Sequence, residues 1–273
     1  MELSGRTALT TAHPSSGAGC AVVVVAAGSG QRLGRGIPKA LVEVAGRTIL
    51  ERSLRAVLEA GVCAHGGRIV VTVPPGDTEL SAVCRSLGAQ PVEGAQSRAA
   101  SVRAALEALA QGPAPAGVLV HDAARCLTPP SVFREVAAAL AEHRAVIPVL
   151  PVVDTMRSID AQDRLLGTVD RARLRAIQTP QGFDWQLLRE VNAQAAAEGL
   201  ADESITDDAS LVEHCTDVQV MAVPGHEESF KVTRPLDLLL AEAVVADRAA
   251  RTGADPASVV PSAVDPAGQE QRP

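Results

Sequence analysis

Two lysines and a run of glycines are where this sequence shows its chemistry. From Ala21 to Leu41 it reads AVVVVAAGSGQRLGRGIPKAL, an apolar run followed by Gly28, Gly30, Gly34 and Gly36, interleaved with Arg32 and Arg35 and closed by Pro38-Lys39. Glycines let bare backbone N–H groups approach a ligand, and cations set among them suit an anion, with phosphate as the natural guest. The spacing excludes two familiar phosphate loops. A dinucleotide fingerprint needs its third glycine one residue earlier, and a Walker loop needs glycine before its lysine and Ser or Thr after it, whereas Lys39 stands between Pro38 and Ala40. Of 25 basic side chains only Lys39 and Lys231 are lysine. Arginine is the default cation, so lysine at these two places suggests sites where a compact ammonium on a flexible stem suits better than a planar fork, as in bridging phosphate oxygens.

These residues need a scaffold that brings them to one place. Val22 to Val25 is β-branched and too short for a helix, which predicts a strand buried on both faces of a parallel sheet. Open α/β sheets bind ligands at the carboxyl ends of such strands. Next, Thr48 with Glu51 forms a capping-box pattern, Leu50, Leu54, Val57 and Leu58 share a helical face, and Gly61 ends the helix. Arg68 to Val73 reads as a strand, and Leu80, Val83 and Leu87 mark a helix closed by Gly88. Gln90 to Glu93 is a short strand, and Val102, Leu106 and Leu109 face inward from a third helix. The turn from Gly94 to Ser101 lies between these last two.

Val118 to Val120 then delivers His121-Asp122-Ala123-Ala124-Arg125 to the same edge as the glycine loop, and Thr128-Pro129-Pro130 opens the next helix. After a strand at Ala145 to Val152 the alternation breaks. Asp154 to Arg175 is strongly charged around a Leu-Leu-Gly turn, like a hairpin projecting from the body, although exposed charge runs are usually mere surface. The pattern resumes at Ala176-Ile177-Gln178-Thr179-Pro180, followed by a helix from Trp185, a cap at Ile205 to Ala209, strands near Val218 to Val223 and Phe230 to Thr233, and a last helix from Pro235. Residues 1–19 and 251–273 have the small, polar and Pro-rich character of disordered tails, leaving one α/β domain over 20–250.

Composition narrows the partners. The 273 residues are 47% hydrophobic and carry a formal net charge of −7, while aromatics are confined to three Phe and one Trp. A broad nucleic-acid surface wants a basic face, and a base-stacking platform wants aromatics, so a small molecule is the expected partner. Cys20, Cys63, Cys84, Cys126 and Cys215 are odd in number and form no C-x-x-C pair, which predicts no disulfide framework or zinc site and fits a reducing cytoplasm. The apolar run at 20–27 is too short to span a bilayer, and the segment before it lacks a signal-peptide pattern.

With AAGSGQRLG and PKAL, RAASV at 98–102, VHDAAR at 120–125, V-x-DTM at 152–156, TVDR at 168–171, QTPQ at 178–181, TDDAS at 206–210 and FKVTRPLD at 230–237 in order, the chain resembles the 2-C-methyl-D-erythritol 4-phosphate cytidylyltransferases of the non-mevalonate isoprenoid pathway. The resemblance covers about residues 20–246. It implies a doubly wound, mostly parallel sheet of Rossmann-like nucleotidyltransferase type, with 154–175 as an arm reaching across a homodimer. It also implies that Ala26, Ala27, Gly28, Arg32 and Lys39 line the CTP triphosphate, and that Gly94, Ala95 and Ser101 hold the cytosine and ribose. Asp122, Arg125, Thr155, Arg171, Thr179, Thr206 and Lys231 would surround the methylerythritol phosphate, some from the partner's arm. Arg32, Lys39, Arg171 and Lys231 carry the implied catalysis, with Mg²⁺ held mainly by the CTP phosphates and no protein metal site. His121 is read as structural. Gln96 and Ser97 depart from an acidic pair common in the family. One alternative is a ribitol 5-phosphate cytidylyltransferase, which would share the fold and most phosphate-binding strings; the other is a catalytically silent nucleotide-binding regulator, suggested by Gln96 and Ser97, against which stands the presence of Arg32, Lys39, Asp122, Arg171 and Lys231.

Overall fold

The computed structural model describes residues 19–28, 33–34, 36–63, 67–200, 205–253 and 255–259. In chain order its first half runs β1 (Ala21–Val25), β2 (Glu43–Val44), β3 (Arg47–Thr48), α1 (Ile49–Ala60), β4 (Ile69–Val73), α2 (Thr78–Ser86), β5 (Gln90–Glu93), α3 (Arg98–Ala110), β6 (Gly117–Asp122) and α4 (Pro130–Ala139). The second half runs β7 (Ala145–Pro151), β8 (Arg157–Ile159), β9 (Leu165–Thr168), β10 (Arg175–Ile177), β11 (Gln181–Asp184), α5 (Trp185–Glu198), α6 (Asp208–Cys215), β12 (Val220–Pro224) and α7 (Pro235–Thr252).

The Val22 to Val25 run lies inside the sheet because its side chains are apolar on both faces and strands flank it on either side. β1 pairs in parallel with β4 and β6, and β4 pairs in parallel with β5. The period of two then divides the side chains between two cores. Val22 and Val24, with Val71 and Leu119, pack against Leu54 of α1, Leu80 of α2, Phe133 of α4 and Val245 of α7. Ala21 and Val23, with Val70, Val118 and Val120, pack against Val102 and Leu109 of α3, Leu188 of α5 and Val212 of α6. Helices on both faces of a mostly parallel sheet are the doubly wound arrangement expected from the alternation.

Beyond β6 the sheet turns mixed. β11 runs antiparallel to β6 and to β7, β10 runs antiparallel to β7, and β12 runs parallel to β7. The alternation does not foresee β11, since Gln-Gly-Phe-Asp offers a single strong strand former. Its ends are buried for another reason: Gln181 accepts from the Asp208 and Ala209 amides and donates to Asp207, and Asp184 caps α5 by accepting from the Leu187 amide. β8 and β9 form a separate two-stranded sheet. From 153 to 177 the chain is exposed apart from partial burial of Asp160 and Leu174.

Three expectations need correction. Phe230 to Thr233 is not a strand; it crosses the sheet edge, with the Val232 amide donating to the Ala124 carbonyl and its side chain buried. Leu58 is 46% exposed and does not share the inward face of Leu54 and Val57. The expected tail from residue 251 starts too early, because α7 continues to Thr252, is capped by Gly253 in the left-handed conformation, and is followed by a turn that buries Val259. Residues 1–18 and 260–273 lie outside the described residues.

Gly182 has a close-packing role. A Cβ there would meet Val136 Cγ1 at 2.6 Å and Leu140 Cδ1 at 3.2 Å, so α4 settles on β11 only because that side chain is absent. Gly182→Ala is expected to lower stability by about 1–3 kcal/mol through overpacking, read as a lower urea midpoint at unchanged slope; an unaltered midpoint would show that α4 does not rest there.

Candidate active site

The loops after β1, β5 and β6 meet at one carboxyl edge of the sheet, because parallel strands must release the chain on the same side. The segment after β1 brings Ala26, Ala27 and Gly28, and a short 3-10 turn at Lys39–Leu41 brings Lys39. The loop after β5 brings Ala95, Gln96, Ser97 and Arg98, and β6 ends on Asp122. These residues, with Ser101, Lys231 and Thr233, line one cleft of about 500 Å³. The two lysines that stood out in composition therefore share a cavity, although 192 positions separate them in sequence.

The glycine requirement is clearest at Gly94, where a Cβ would lie 2.4 Å from the Cβ of Ala27, so the loop after β5 can press against the loop after β1 only as glycine. Ser101 then shapes that loop: its hydroxyl accepts from the Ala95 amide at 2.9 Å and donates to the Ser97 carbonyl at 2.8 Å. Ser97, one of the two departures at 96–97, is the N-cap of α3 and accepts from the Ala100 amide at 2.9 Å. Gln96 lines the cleft. The positive end of the α3 dipole thus faces the cavity, a placement that favours an anion.

Asp122 is the electrostatic centre. One carboxylate oxygen accepts from Arg98 Nε at 3.2 Å and the other from Lys231 Nζ at 2.7 Å. Arg98 continues to Asp208 at 2.8 Å, so a chain of alternating charge, its two aspartates buried, joins the α3 N-terminus, the end of β6, the 230–233 crossing and α6. Burial alone would raise the Asp122 carboxyl, but Arg98 and Lys231 overcome it and hold that carboxyl well below the usual range. Sequence reasoning missed Arg98. The RAASV string was the available signal, yet pattern alone does not show that its arginine reaches two carboxylates from separate elements.

Thr179 Oγ1 accepts from the Asp122 amide at 3.1 Å and lies 3.0 Å from His121 Nδ1, and so it braces the end of β6 without lining the cleft. Gln178 accepts from the His226 amide and donates to its carbonyl, which anchors the segment leading to Lys231. Arg125 is a strut, donating to the carbonyls of Ser229 and Ile177. His121 is fully buried against Phe133, and burial pushes it down to about 3, consistent with a neutral structural role.

Other expected site residues are not brought together within the chain. Thr155 is exposed on the hairpin segment, and exposed Arg171 donates to the Val153 carbonyl; neither lines the cleft. Thr206 is exposed just before α6, its hydroxyl 3.4 Å from that of Ser210. Arg32 lies outside the described residues. As for a metal, among the described residues Asp122 is the single carboxylate in the cleft lining and already serves two cations, and no three His, Cys, Asp or Glu side chains cluster to hold an ion. That donor set fits a divalent ion carried in on phosphate oxygens rather than one caged by the protein. Among the described residues no helix is long and apolar enough to cross a membrane.

A doubly wound sheet with a glycine loop, a helix N-terminus and two lysines on one carboxyl edge defines an α/β protein of the nucleotidyltransferase type. Comparison with known proteins makes this specific. The family profile described as 2-C-methyl-D-erythritol 4-phosphate cytidylyltransferase matches residues 20–247. Relatives bearing that name include one from Saccharopolyspora erythraea, 47% identical over 231 residues, covering 82% of this chain and 98% of the relative. Another, from Frankia casuarinae, is 46% identical over 229 residues, covering 83% and 81%. Among solved structures, the enzyme of that name from Thermus thermophilus aligns with a TM-score of 0.68 at 37% identity, over 83% of this chain and 98% of its own. The 4-diphosphocytidyl-2C-methyl-D-erythritol synthase from Anaerococcus prevotii aligns with a TM-score of 0.72 at 28% identity, over 85% and 100%. The chain belongs to the 2-C-methyl-D-erythritol 4-phosphate cytidylyltransferase family.

Removing Arg98 should expose the strength of the charge chain. Because Asp122 is held below its unfolded value of about 3.9, its contribution to stability is complete above that pH and is lost as the pH falls beneath it. Arg98→Gln takes away one of the two cations responsible. It should cost on the order of 3 kcal/mol at neutral pH and move acid unfolding to higher pH; an unchanged acid limb would show that Arg98 does not hold Asp122.

Proposed function

We propose that the protein transfers CMP from CTP to 2-C-methyl-D-erythritol 4-phosphate, releasing pyrophosphate and 4-diphosphocytidyl-2-C-methyl-D-erythritol, in isoprenoid precursor synthesis. The observation that carries the reading is the shared cleft of Lys39 and Lys231, one on the glycine-loop side and one beside Asp122. Family membership supplies the two substrates; the ribitol 5-phosphate and silent-regulator alternatives have no observation in their favour.

In this reading a phosphate oxygen of the acceptor attacks the α-phosphorus of CTP, forming one P–O bond as the bond to the β-phosphate oxygen breaks. The acceptor is largely ionised already, since a phosphate monoester's second pKa is near 6, so no general base is needed. Asp122 agrees with that: both its oxygens are engaged, and its work is to hold Lys231 in place. Lys39 and Arg32 neutralise charge developing on the equatorial oxygens and the leaving group, while Lys231 and Arg171 orient the attacking phosphate. Ala26, Ala27 and Gly28 present backbone to the triphosphate, with Gly94, Ala95 and Ser101 shaping the nucleoside side. Thr155, Thr179, Thr206 and Arg125 frame the acceptor side. Mg²⁺, held mainly by the triphosphate oxygens, would offset their charge, and Asp122 is the cleft carboxylate that could support it.

Thr155 and Arg171 point to a second subunit. The β8–β9 hairpin has no core of its own, yet it exposes Val153 at 78%, Ile159 at 56% and Leu165 at 63%. An isolated two-stranded hairpin is marginal in water, and apolar residues gathered on one are better explained by burial against another chain. A homodimer in which each hairpin segment lends Thr155 and Arg171 to the neighbouring cleft accounts for both features, in a cytoplasmic setting.

Mg²⁺-dependent pyrophosphate release from CTP should require methylerythritol phosphate and be poorly supported by ribitol 5-phosphate; release indifferent to the acceptor would sink the assignment. Lys39→Ala should retain the fold and lose about 10²–10³ in turnover, the usual cost of one preorganised transition-state donor. Mixing Lys39→Ala with Arg171→Ala subunits should restore activity that neither has alone, because one of the two mixed clefts is intact. No recovery on mixing would place Arg171 outside the neighbour's cleft.

A further inference from the structure

Beyond residue 247, where the family match stops, the chain makes a contact that the family assignment does not cover. After Gly253, residues 255–259 form a turn held by Asp255, whose backbone carbonyl accepts from the Ser258 amide and whose side chain accepts from the Ala257 amide. This turn lies over the β2–β3 hairpin: a Cβ on Gly46 would sit 3.6 Å from the Cβ of Ala257, ordinary van der Waals contact. Val259 is 7% exposed.

Arg52 of α1 joins the two segments. It is 2% exposed and donates to four backbone carbonyls. Nε donates to Val44 at 2.7 Å and Nη2 to Ala45 at 2.9 Å, both in the β2–β3 hairpin. Nη1 donates to Val259 at 3.2 Å and Nη2 to Pro256 at 3.2 Å, both in the C-terminal segment. A planar guanidinium with five donors spans two loops in this way, whereas an ammonium cannot. The hairpin it grips needs support, because Ala45 holds a φ of 46°, a left-handed conformation costly for any residue but glycine.

That hairpin is the immediate continuation of the Lys39 turn. The Val42 amide donates to the Lys39 carbonyl at 3.1 Å, the Ile49 amide donates to the Val42 carbonyl at 2.9 Å, and Ala40, Val42 and Val44 are all buried. Val44 and Lys39 are therefore the two ends of one short, packed and hydrogen-bonded segment. We propose that residues 255–259 act as a strap that, through Arg52 as a positioning residue, sets Lys39 in the nucleotide side of the cleft. CTP affinity thus depends on a segment outside the family match. The inference rests on the reading of Lys39 as a triphosphate ligand.

The test uses the full chain. Val259→Lys places an ammonium in an apolar seat beside a guanidinium and should lift the strap; Arg52→Lys keeps the charge but cannot reach both loops. Each should raise the KM for CTP by about 10-fold, short of the 10²-fold that a full ångström of misplacement can cost, while changing the KM for the acceptor less than about 2-fold. Equal change in both constants, or none, would reduce the strap to a stabilising contact and overturn the proposal. Coupling is reciprocal, so CTP added to the unaltered chain should slow hydrogen exchange at the Ala257 and Ser258 amides. Unchanged exchange there would also overturn it, and this measurement needs no variant to fold. If the unaltered chain binds CTP yet transfers nothing to the acceptor, the proposed reaction fails while the exchange result still decides the strap.

Discussion

Asp122 sits between two cations that reach it from either side in sequence, and most of the cleft follows from that placement. An unpaired carboxylate at this depth would be expensive to bury, and so would an unpaired Arg98. Each makes the other tolerable, and together with Lys231 and Asp208 they tie four separate elements into one rigid edge. The same chain of charges leaves Asp122 too well satisfied to serve as a base. It holds Lys231 where an incoming phosphate monoester, already anionic, can be met.

The supports behind this centre are mostly hydrogen bonds from buried side chains to backbone. Gln178 holds the loop that precedes the Lys231 crossing, Thr179 holds the end of β6, and Gln181 caps α6. Gln178, Thr179 and Gln181 of the string QTPQ thus act as struts behind the cleft. Arg52 and Arg125 work similarly, each spending its guanidinium on carbonyls from distant segments. Arginine suits such bridging better than lysine, and this is in keeping with a chain that keeps its two lysines for the cleft.

Much of the scaffold was legible because it rests on local rules. The Val22 to Val25 run could be stable only inside a parallel sheet, Thr48 and Gly61 bound α1 by capping chemistry, and the inward faces of α3 and α4 follow from helical spacing. What local rules missed was decided by tertiary contact. β11 lacks strand formers and is a strand because its neighbours need its glycine and its glutamine. Phe230 to Thr233 has strand composition yet is not a strand, because the edge it would occupy is given to loops.

For the site itself, residue types and spacing determined that an anion-binding loop, a second loop at the end of β6, and two exceptional lysines existed, since those are properties of side-chain chemistry and local backbone. Whether the lysines shared a cleft, that Arg98 joined Asp122 to Asp208, and that the last described residues reached back to Arg52, were decided by the tertiary structure alone. Ion pairs and struts between residues 24, 109 and 207 positions apart leave no periodic trace in a sequence, because they depend on where the sheet brings distant segments together and not on what lies beside each residue in the chain.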